Sequence, residues 1–417
     1  MKHSTTNTYA LKREIISFSN KISYGLHKPL RKFSADMTYG ILASSSCLLT
    51  DIAHALHEPS KKINSVDRLS RHLASGIPKR MYRNYMNLIQ QMAPSSPIIH
   101  IDDSDVVKPD GYCFEALGYV RDGSESTSEK SVFKKGYHVT EACVMNSSNH
   151  PVSIFSKVHS SAEKSFTSIN DVTFSAIDSG ISLFGKATFV MDRGYDDNKI
   201  FLKLLSGSQD FVIRLTAKRK VLYHGKWIPV TELCNRRKGK VKMPLIYKGK
   251  ERNAYISHIK VQITAARKYI NLVLVYGITE HPMMLATNKE ILSKEDVISA
   301  AKIYFSRWRI EEYFRSKKQL FGFENFRVRK LKAINALNFF LSVSMAFLAR
   351  MSEKPETNAL KVSVIRHAAP VKEKVCFQYY RLSKGVAAIL AYASEGVRLW
   401  FRTKRPKYRQ MRLRLLC

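Results

Sequence analysis

The fifteen residues from Tyr304 to Lys318, YFSRWRIEEYFRSKK, carry the densest set of groups in the chain that could do chemistry. Tyr304, Arg307, Glu311 and Lys318 are separated by three, four and seven positions. At about 100° per residue they fall within roughly 60° of one helix face. A carboxylate among a phenol, a guanidinium and an ammonium suits a site that holds a metal ion and grips phosphates around it. The same pattern also reads as a solvated face with a Glu311–Arg315 pair at i,i+4. Trp308 and Ile310 fall on other faces of the helix and are expected to pack.

Two further stretches bring carboxylates to the ends of apolar runs. In IIHIDDSDVVKP, a strand beginning near Ile98 runs into Asp102, Asp103 and Asp105. In ATFVMDRGYDD, the strand Thr188 to Met191 delivers Asp192 at its tip, and Asp197 starts the next helix. Acids at the carboxyl ends of strands in an α/β sheet sit where such folds place their sites. A solvent-facing turn at 102–105 and a helix-capping Asp192 are the plainer readings. Strand alternation does not choose between Asp102 and Asp103, because the strand reads as buried on both faces.

The elements that must position these groups follow in order. Residues 1–95 read as helical. Within them, CLLTDIAHALHEPSKKINSVDRLSRHLAS has helical spacing around a break at Glu58-Pro59-Ser60. That pattern fits a helix-turn-helix DNA reader with Lys61, Lys62, Arg68 and Arg71 near phosphates, and equally a plain helical hairpin. Pro94–Pro97 reads as a linker and Gly111–Lys130 as a loop. Tyr137–Met145 and Pro151–Val158 read as strands joined by a turn, followed by a helix near Ile169–Ile177. FVIRLTAKRK reads as a strand, and about 75 residues rich in short β patterns with basic turns follow it. Beyond the site helix, Ala333–Met351 is strongly apolar and expected in the core or at a subunit contact. The tail WFRTKRPKYRQMRLRLL interleaves cations with aromatics, as a nucleic-acid-binding tail or a disordered basic one.

Charge narrows the function classes. Lys and Arg number 69 against 34 Asp and Glu, a net charge of +35 and a pI near 9.9. A polyanionic partner is the natural inference, with counterion release supplying affinity for nucleic acid. A membrane surface is the competing polyanion. No run reaches about 18 uninterrupted apolar residues; the best, Leu337–Ala349, is short and contains Asn and Ser. The N-terminus lacks the apolar run of a signal peptide. Six scattered cysteines without a CxxC argue against a zinc site or disulfide framework and suit a reducing cytoplasm.

Tyr-x2-Arg-x3-Glu-x6-Lys resembles the signature of the DDE transposases of bacterial insertion sequences, in the family numbered four. Asp102-Asp103-Ser104 is similar to the context of that family's first catalytic Asp, with Asp102 as the acid and Asp103 as the weaker fit. Asp192 in Asp-Arg-Gly is similar to the second. The β-rich stretch resembles the family's insertion ahead of the glutamate helix. It ends at Met283, where the family commonly has a Trp that stacks on a flipped base. Met283 offers apolar contact but no aromatic face.

The resemblance covers roughly residues 40–350. It implies an α/β fold: a ribonuclease-H-like core of mixed sheet and flanking helices, interrupted by an all-β insertion, with helical N-terminal and C-terminal regions. The implied divisions are a DNA-binding region at 1–95, the core at 96–216 and 288–352, the insertion at 217–287 and a basic helical region at 353–417. Asp102, Asp192 and Glu311 would be the catalytic acids holding two Mg²⁺ or Mn²⁺ ions, and Tyr304, Arg307 and Lys318 would grip DNA. The implied activity is cut-and-paste transposition on inverted-repeat ends and target DNA, by a homodimer in the bacterial cytoplasm at the nucleoid. A metal-dependent nuclease of the same core and a non-catalytic repressor derived from a transposase are the alternatives.

Overall fold

The computed structural model describes residues 2–123, 125–127, 129–247, 250–368, 370 and 378–401. Five helices lead the chain: α1 (Lys2–Ile22), α2 (Lys28–Ser44), α3 (Leu49–Ala55), α4 (Lys62–Ser75) and α5 (Lys79–Met92). α3 and α4 flank the break at Glu58-Pro59-Ser60, and the break is held by charge. Glu58 accepts from Lys32 (2.6 Å), Ser65 (2.6 Å) and Arg68 (3.0 Å), while buried Asp36 accepts from Lys32 (2.7 Å) and Arg68 (2.8 Å). Arg68, expected near phosphates, is therefore committed to two carboxylates inside the protein.

The site-bearing sheet follows. β1 (Ile98–Val107), β2 (Gly118–Arg121), β3 (Phe133–Met145) and β4 (Pro151–His159) precede α6 (Ile169–Phe184), β5 (Thr188–Met191), α7 (Asn198–Ser206) and β6 (Asp210–Arg214). The strand order is β4-β3-β1-β5-β6. β3 runs antiparallel to β1 and β4, whereas β5 is parallel to both β1 and β6. The stretch Gly111–Lys130 is not wholly loop: β2 pairs its residues 118–121 with 133–136 of β3. Gly118 and Val120 are buried and Tyr119 and Arg121 exposed, a period-two signal only four residues long.

The next stretch contributes β7 (Lys220–Tyr223), β8 (Lys226–Pro229), α8 (Val230–Arg236), β9 (Val241–Tyr247), β10 (Lys250–Gln262), β11 (Tyr269–Tyr276) and β12 (Met283–Thr287). The expected all-β insertion thus contains a seven-residue helix, because Val230, Leu233 and Cys234 recur at helical spacing and bury one face. β12 pairs antiparallel with β6, so these strands continue the core sheet, which reaches twelve strands. Met283 is only 2% exposed and packs in the core beside this junction. It presents no surface to a base.

The chain closes with α9 (Lys294–Phe305), α10 (Trp308–Phe321), α11 (Leu331–Glu353), α12 (Ala359–His367) and α13 (Tyr379–Leu390). Of the described helices, α11 alone is long and apolar enough to cross a membrane, and here it is buried within the protein. One apolar core joins residues of α1–α5 to α6, α7, α11 and one face of the sheet, through Phe189, Met191, Phe211 and Ile213. A second core lies on the other face, where Val190 and Val212 meet Val297, Ala300 and Ala301 of α9. Ser293 and Asp296 start α9 with a reciprocal capping box. The basic tail beyond Phe401 lies outside the described residues.

The charge network at the α3–α4 break carries a pH signature. Burial opposes ionisation of Glu58, but hydrogen bonds from Lys32 and Ser65 and the charges of Lys32 and Arg68 outweigh it. They hold the carboxyl at about 2, against an ordinary 4.5. A carboxyl lowered in the folded state stabilises it above the unfolded value, and that contribution is lost as pH falls from about 4.5 towards 2. Urea unfolding of wild type across this window should therefore lose stability more steeply than Glu58→Gln. Parallel curves would contradict the assignment.

Candidate active site

Register puts two of the acids side by side. In the parallel β1–β5 ladder His100 pairs with Val190. Two residues further on, Asp102 and Asp192 come out level, where β5 has ended and β1 continues along β3. Side chains alternate along a strand, so both acids project to the face covered by α9 and α10. Asp103 is turned to the opposite face. There its carboxylate accepts from Thr140 and from the Tyr195 hydroxyl at 2.8 Å. Asp192 caps the short turn Arg193–Tyr195 by accepting from the Gly194 N–H at 2.6 Å. Tyr195 of the same turn binds Asp103, which fastens the Asp192 turn to β1.

The helix face drawn from the sequence is bent. α9 ends at Phe305 and α10 starts at Trp308. Between them the N–H groups of Arg309 and Ile310 bond three residues back, to Ser306 and Arg307. Ser306 explains the tightening. Its hydroxyl donates to the Ile303 carbonyl (2.7 Å) and meets His100 Nε2 (2.8 Å), so the kink is tied to β1 two residues before Asp102. Burial pushes the His100 imidazole down to about 3, which keeps it neutral.

The kink separates the four signature residues. Tyr304 is 6% exposed in the second core, its phenol against Arg214 and Arg307. Arg307 lies at the kink itself. Glu311 and Lys318 face the cleft from α10, and Lys318 Nζ donates to the Asp105 carbonyl (2.6 Å) and pairs with Glu324 (2.9 Å). Ile310 is buried as expected. Trp308 is not: it is 44% exposed, on the same stripe of α10 as Arg315 and Gln319, with the Arg309 guanidinium 4.6 Å from its ring centroid.

Arg307 joins the acids. Its Nη1 donates to Asp102 Oδ2 at 2.6 Å, and its Nη2 donates to Glu311. Burial pushes the Asp102 carboxyl up to about 7; Arg307 opposes that rise, and neighbouring Asp192 adds to it. Burial likewise works against the Arg307 charge, but Asp102, Tyr304 and Glu311 outweigh it and the guanidinium is held more firmly protonated than usual.

A cleft of about 660 Å³ opens along the edge of β1 left free beyond the end of β5, so that residues of both faces border it. It is lined by Asp102, Asp103, Asp105, Asp122, Glu311 and Glu324, with Arg315 and Lys318 the cations among its lining residues. The donor chemistry fits a hard divalent ion: oxygen ligands, in excess of positive charge, at the open end of a strand pair. The three-ligand set is not assembled, however. Among the described residues no three Asp, Glu, His or Cys side chains are gathered closely enough to hold an ion. The Arg307 guanidinium stands between Asp102 and Glu311.

Sequence reasoning missed the residue next to Lys318. Lys317 is 1% exposed and donates to Glu141 (3.2 Å, 0% exposed), Asn338 (2.5 Å) and Ser342 (3.3 Å). It pins α10 to β3 and α11. A signal existed: Lys317 falls on the stripe of Ile310, Tyr313 and Leu320, which is otherwise apolar. His100, Ser306 and Tyr195 left no comparable mark, since each acts across long sequence separations.

A family model described as the transposase DDE domain matches residues 99–347. No curated protein matches the chain.

If Arg307 competes for the acids, removing its charge leaves two carboxylates uncompensated, and a divalent cation relieves that imbalance. Arg307→Gln should bind Mn²⁺ more tightly than wild type without DNA, on the order of tenfold. The readout is the electron paramagnetic resonance signal of free Mn²⁺. Equal affinities would show that the guanidinium does not obstruct the ligands.

Proposed function

The chain belongs to the transposase DDE-domain family, and on that footing we propose that it cleaves DNA at transposon ends and joins them to target DNA by cut-and-paste transposition. Enzymes of this family act on DNA and generally use divalent metal ions. The observation that carries the reading is the level placement of Asp102 and Asp192 across β1 and β5, with Arg307 linking Asp102 to Glu311. The order β4-β3-β1-β5-β6 supports a ribonuclease-H-like core. The spacing from Tyr304 to Lys318 supports the Tyr-Arg-Glu-Lys type of insertion-sequence transposase.

In this reading Asp102, Asp192 and Glu311 would hold two Mg²⁺ or Mn²⁺ ions, whose chemistry when bound would be to lower the pKa of a nucleophile and offset charge on the leaving oxygen of a phosphodiester. The protein's own groups do the rest. The Arg307 fork, now spanning two carboxylates, has the planar donors that suit a phosphate flanking the scissile bond. Tyr304, buried against Arg307, orients that fork rather than reaching DNA itself. Lys318 adds a cation at the cleft wall. The helices of residues 1–95 contribute DNA binding, and the active form is a homodimer on duplex inverted-repeat ends.

Three substitutions test the acids together. Asp102→Asn, Asp192→Asn and Glu311→Gln should each slow cleavage of a cognate end on the order of a thousandfold or more, with duplex affinity little changed. Asp103→Asn, on the opposite face, should stay within about tenfold of wild type. The reverse pattern for Asp102 and Asp103 would move the first acid. Full activity in all four would remove the metal-site reading.

A further inference from the structure

α10 is followed by the sequence FENFRVRKLK, which leads from the cleft to the N-terminal helices. Its backbone is extended at Phe326 (φ −54°, ψ 147°) and at Lys330 (φ −73°, ψ 131°). Between them burial alternates: Phe326 is buried, Arg327 exposed, Val328 half-buried and Arg329 exposed. Lys330 and Lys332 are exposed as well. None of these four cations forms an ion pair with an acid among the described residues.

This segment is held in place from below. Lys108 Nζ donates to the carbonyls of Glu324 and Phe326 and lies 4.1 Å from the Phe326 ring centroid. The Phe326 ring packs edge-on against Phe114 at 5.6 Å. The Glu115 N–H donates to the Arg329 carbonyl (3.0 Å), and the Glu115 carboxylate caps the Leu331 N–H (2.7 Å). A backbone so tied presents its arginines at fixed spacing. Residues two apart in an extended chain lie roughly 6–7 Å apart, close to the separation of successive phosphates along one DNA strand.

Both ends meet structures with a reason to touch DNA. At one end Glu324 lines the acidic cleft and pairs with Lys318. At the other, Arg327, Arg329 and Lys330 form one wall of a groove of about 420 Å³, whose opposite wall is α3 and the Val66–Ala74 face of α4. The Lys332 stem lies over Gly76 at the end of α4. The Cys47 N–H donates to the Phe321 carbonyl (2.8 Å), so the start of α3 is fixed to the end of the site helix.

We propose that Arg327, Arg329, Lys330 and Lys332 form a phosphate-binding ladder for duplex DNA, running from the cleft to the groove beside α3 and α4. It rests on the transposase reading above and adds to it the track by which one duplex spans both regions. Charge complementarity selects the occupant: three exposed cations against Asp67 as the one acid lining the groove, with exposed Lys332 next along the chain, suit a polyanion better than an apolar peptide.

The test is the salt dependence of duplex binding between about 50 and 200 mM, where each phosphate contact adds about 0.9 to the log-log slope. The double variant Arg327→Ala/Arg329→Ala should bind with a slope shallower than wild type by about 1.8. Its hydroxyl-radical footprint should shorten on the side away from the cleaved bond. Arg327→Lys/Arg329→Lys keeps the charges and should restore the slope. A steep wild-type slope left unchanged in the alanine variant would overturn the ladder while sparing the transposase reading. A flat wild-type response would overturn both.

Discussion

The site depends on how paired carboxylates tolerate one another. Parallel register leaves Asp102, within β1, and Asp192, just past the end of β5, level on one face. Charges brought together in a partly buried place need a cation or a proton. Both answers are visible here: Asp102 is shifted up to about 7, and Arg307 reaches it at 2.6 Å. The kink at Ser306 is what delivers that guanidinium. A straight helix from Lys294 to Phe321 would carry it around a different arc. The backbone irregularity and the charge problem are two sides of one arrangement.

The adjacent lysines of α10 show how rigidity is set beside the site. Lys317 enters the interior and satisfies its charge on Glu141, Asn338 and Ser342, joining α10 to β3 and α11. Such a buried pair is costly to form and is weak evidence of net stabilisation. Its geometric effect is firmer: one helical register of α10 places an ammonium opposite Glu141, and a slip would strand both charges. That register turns Glu311 and Lys318 towards the cleft.

Much of this was legible in the sequence, and the exceptions have physical causes. Apolar runs and periodicity located the acid-bearing strands and the helices around them, down to Thr188–Met191 and its terminal Asp192. The choice between Asp102 and Asp103 was not legible, because a strand buried on both faces has no alternation to read. What separates the two in the fold comes from neighbours distant in sequence: pairing of His100 with Val190 brings Asp102 level with Asp192, and Tyr195 and Thr140 bind Asp103. The inward turn of Tyr304 and the outward turn of Trp308 depend on a serine bonding back to Ile303 and across to His100. Propensity carries no trace of such a contact. α8 and β2 were missed because their patterns last one or two periods within stretches dominated by another signal.

The distribution of charge completes the physical picture. The chain carries +35, yet acids dominate the lining of its cleft. At physiological salt the screening length is about 8 Å, so the global charge cannot neutralise the cleft from a distance. A polyanion is drawn to the protein by its exposed cations and meets local repulsion where the carboxylates stand. Only groups at the rim or cations within the cleft offset that repulsion. Lys318, Arg315 and the Arg307 fork are the protein's own contribution, and the carboxylates that remain are what a divalent ion would neutralise. Positive charge and carboxylates are thus separated in space, the cations over the exposed surface and the acids gathered in the cleft.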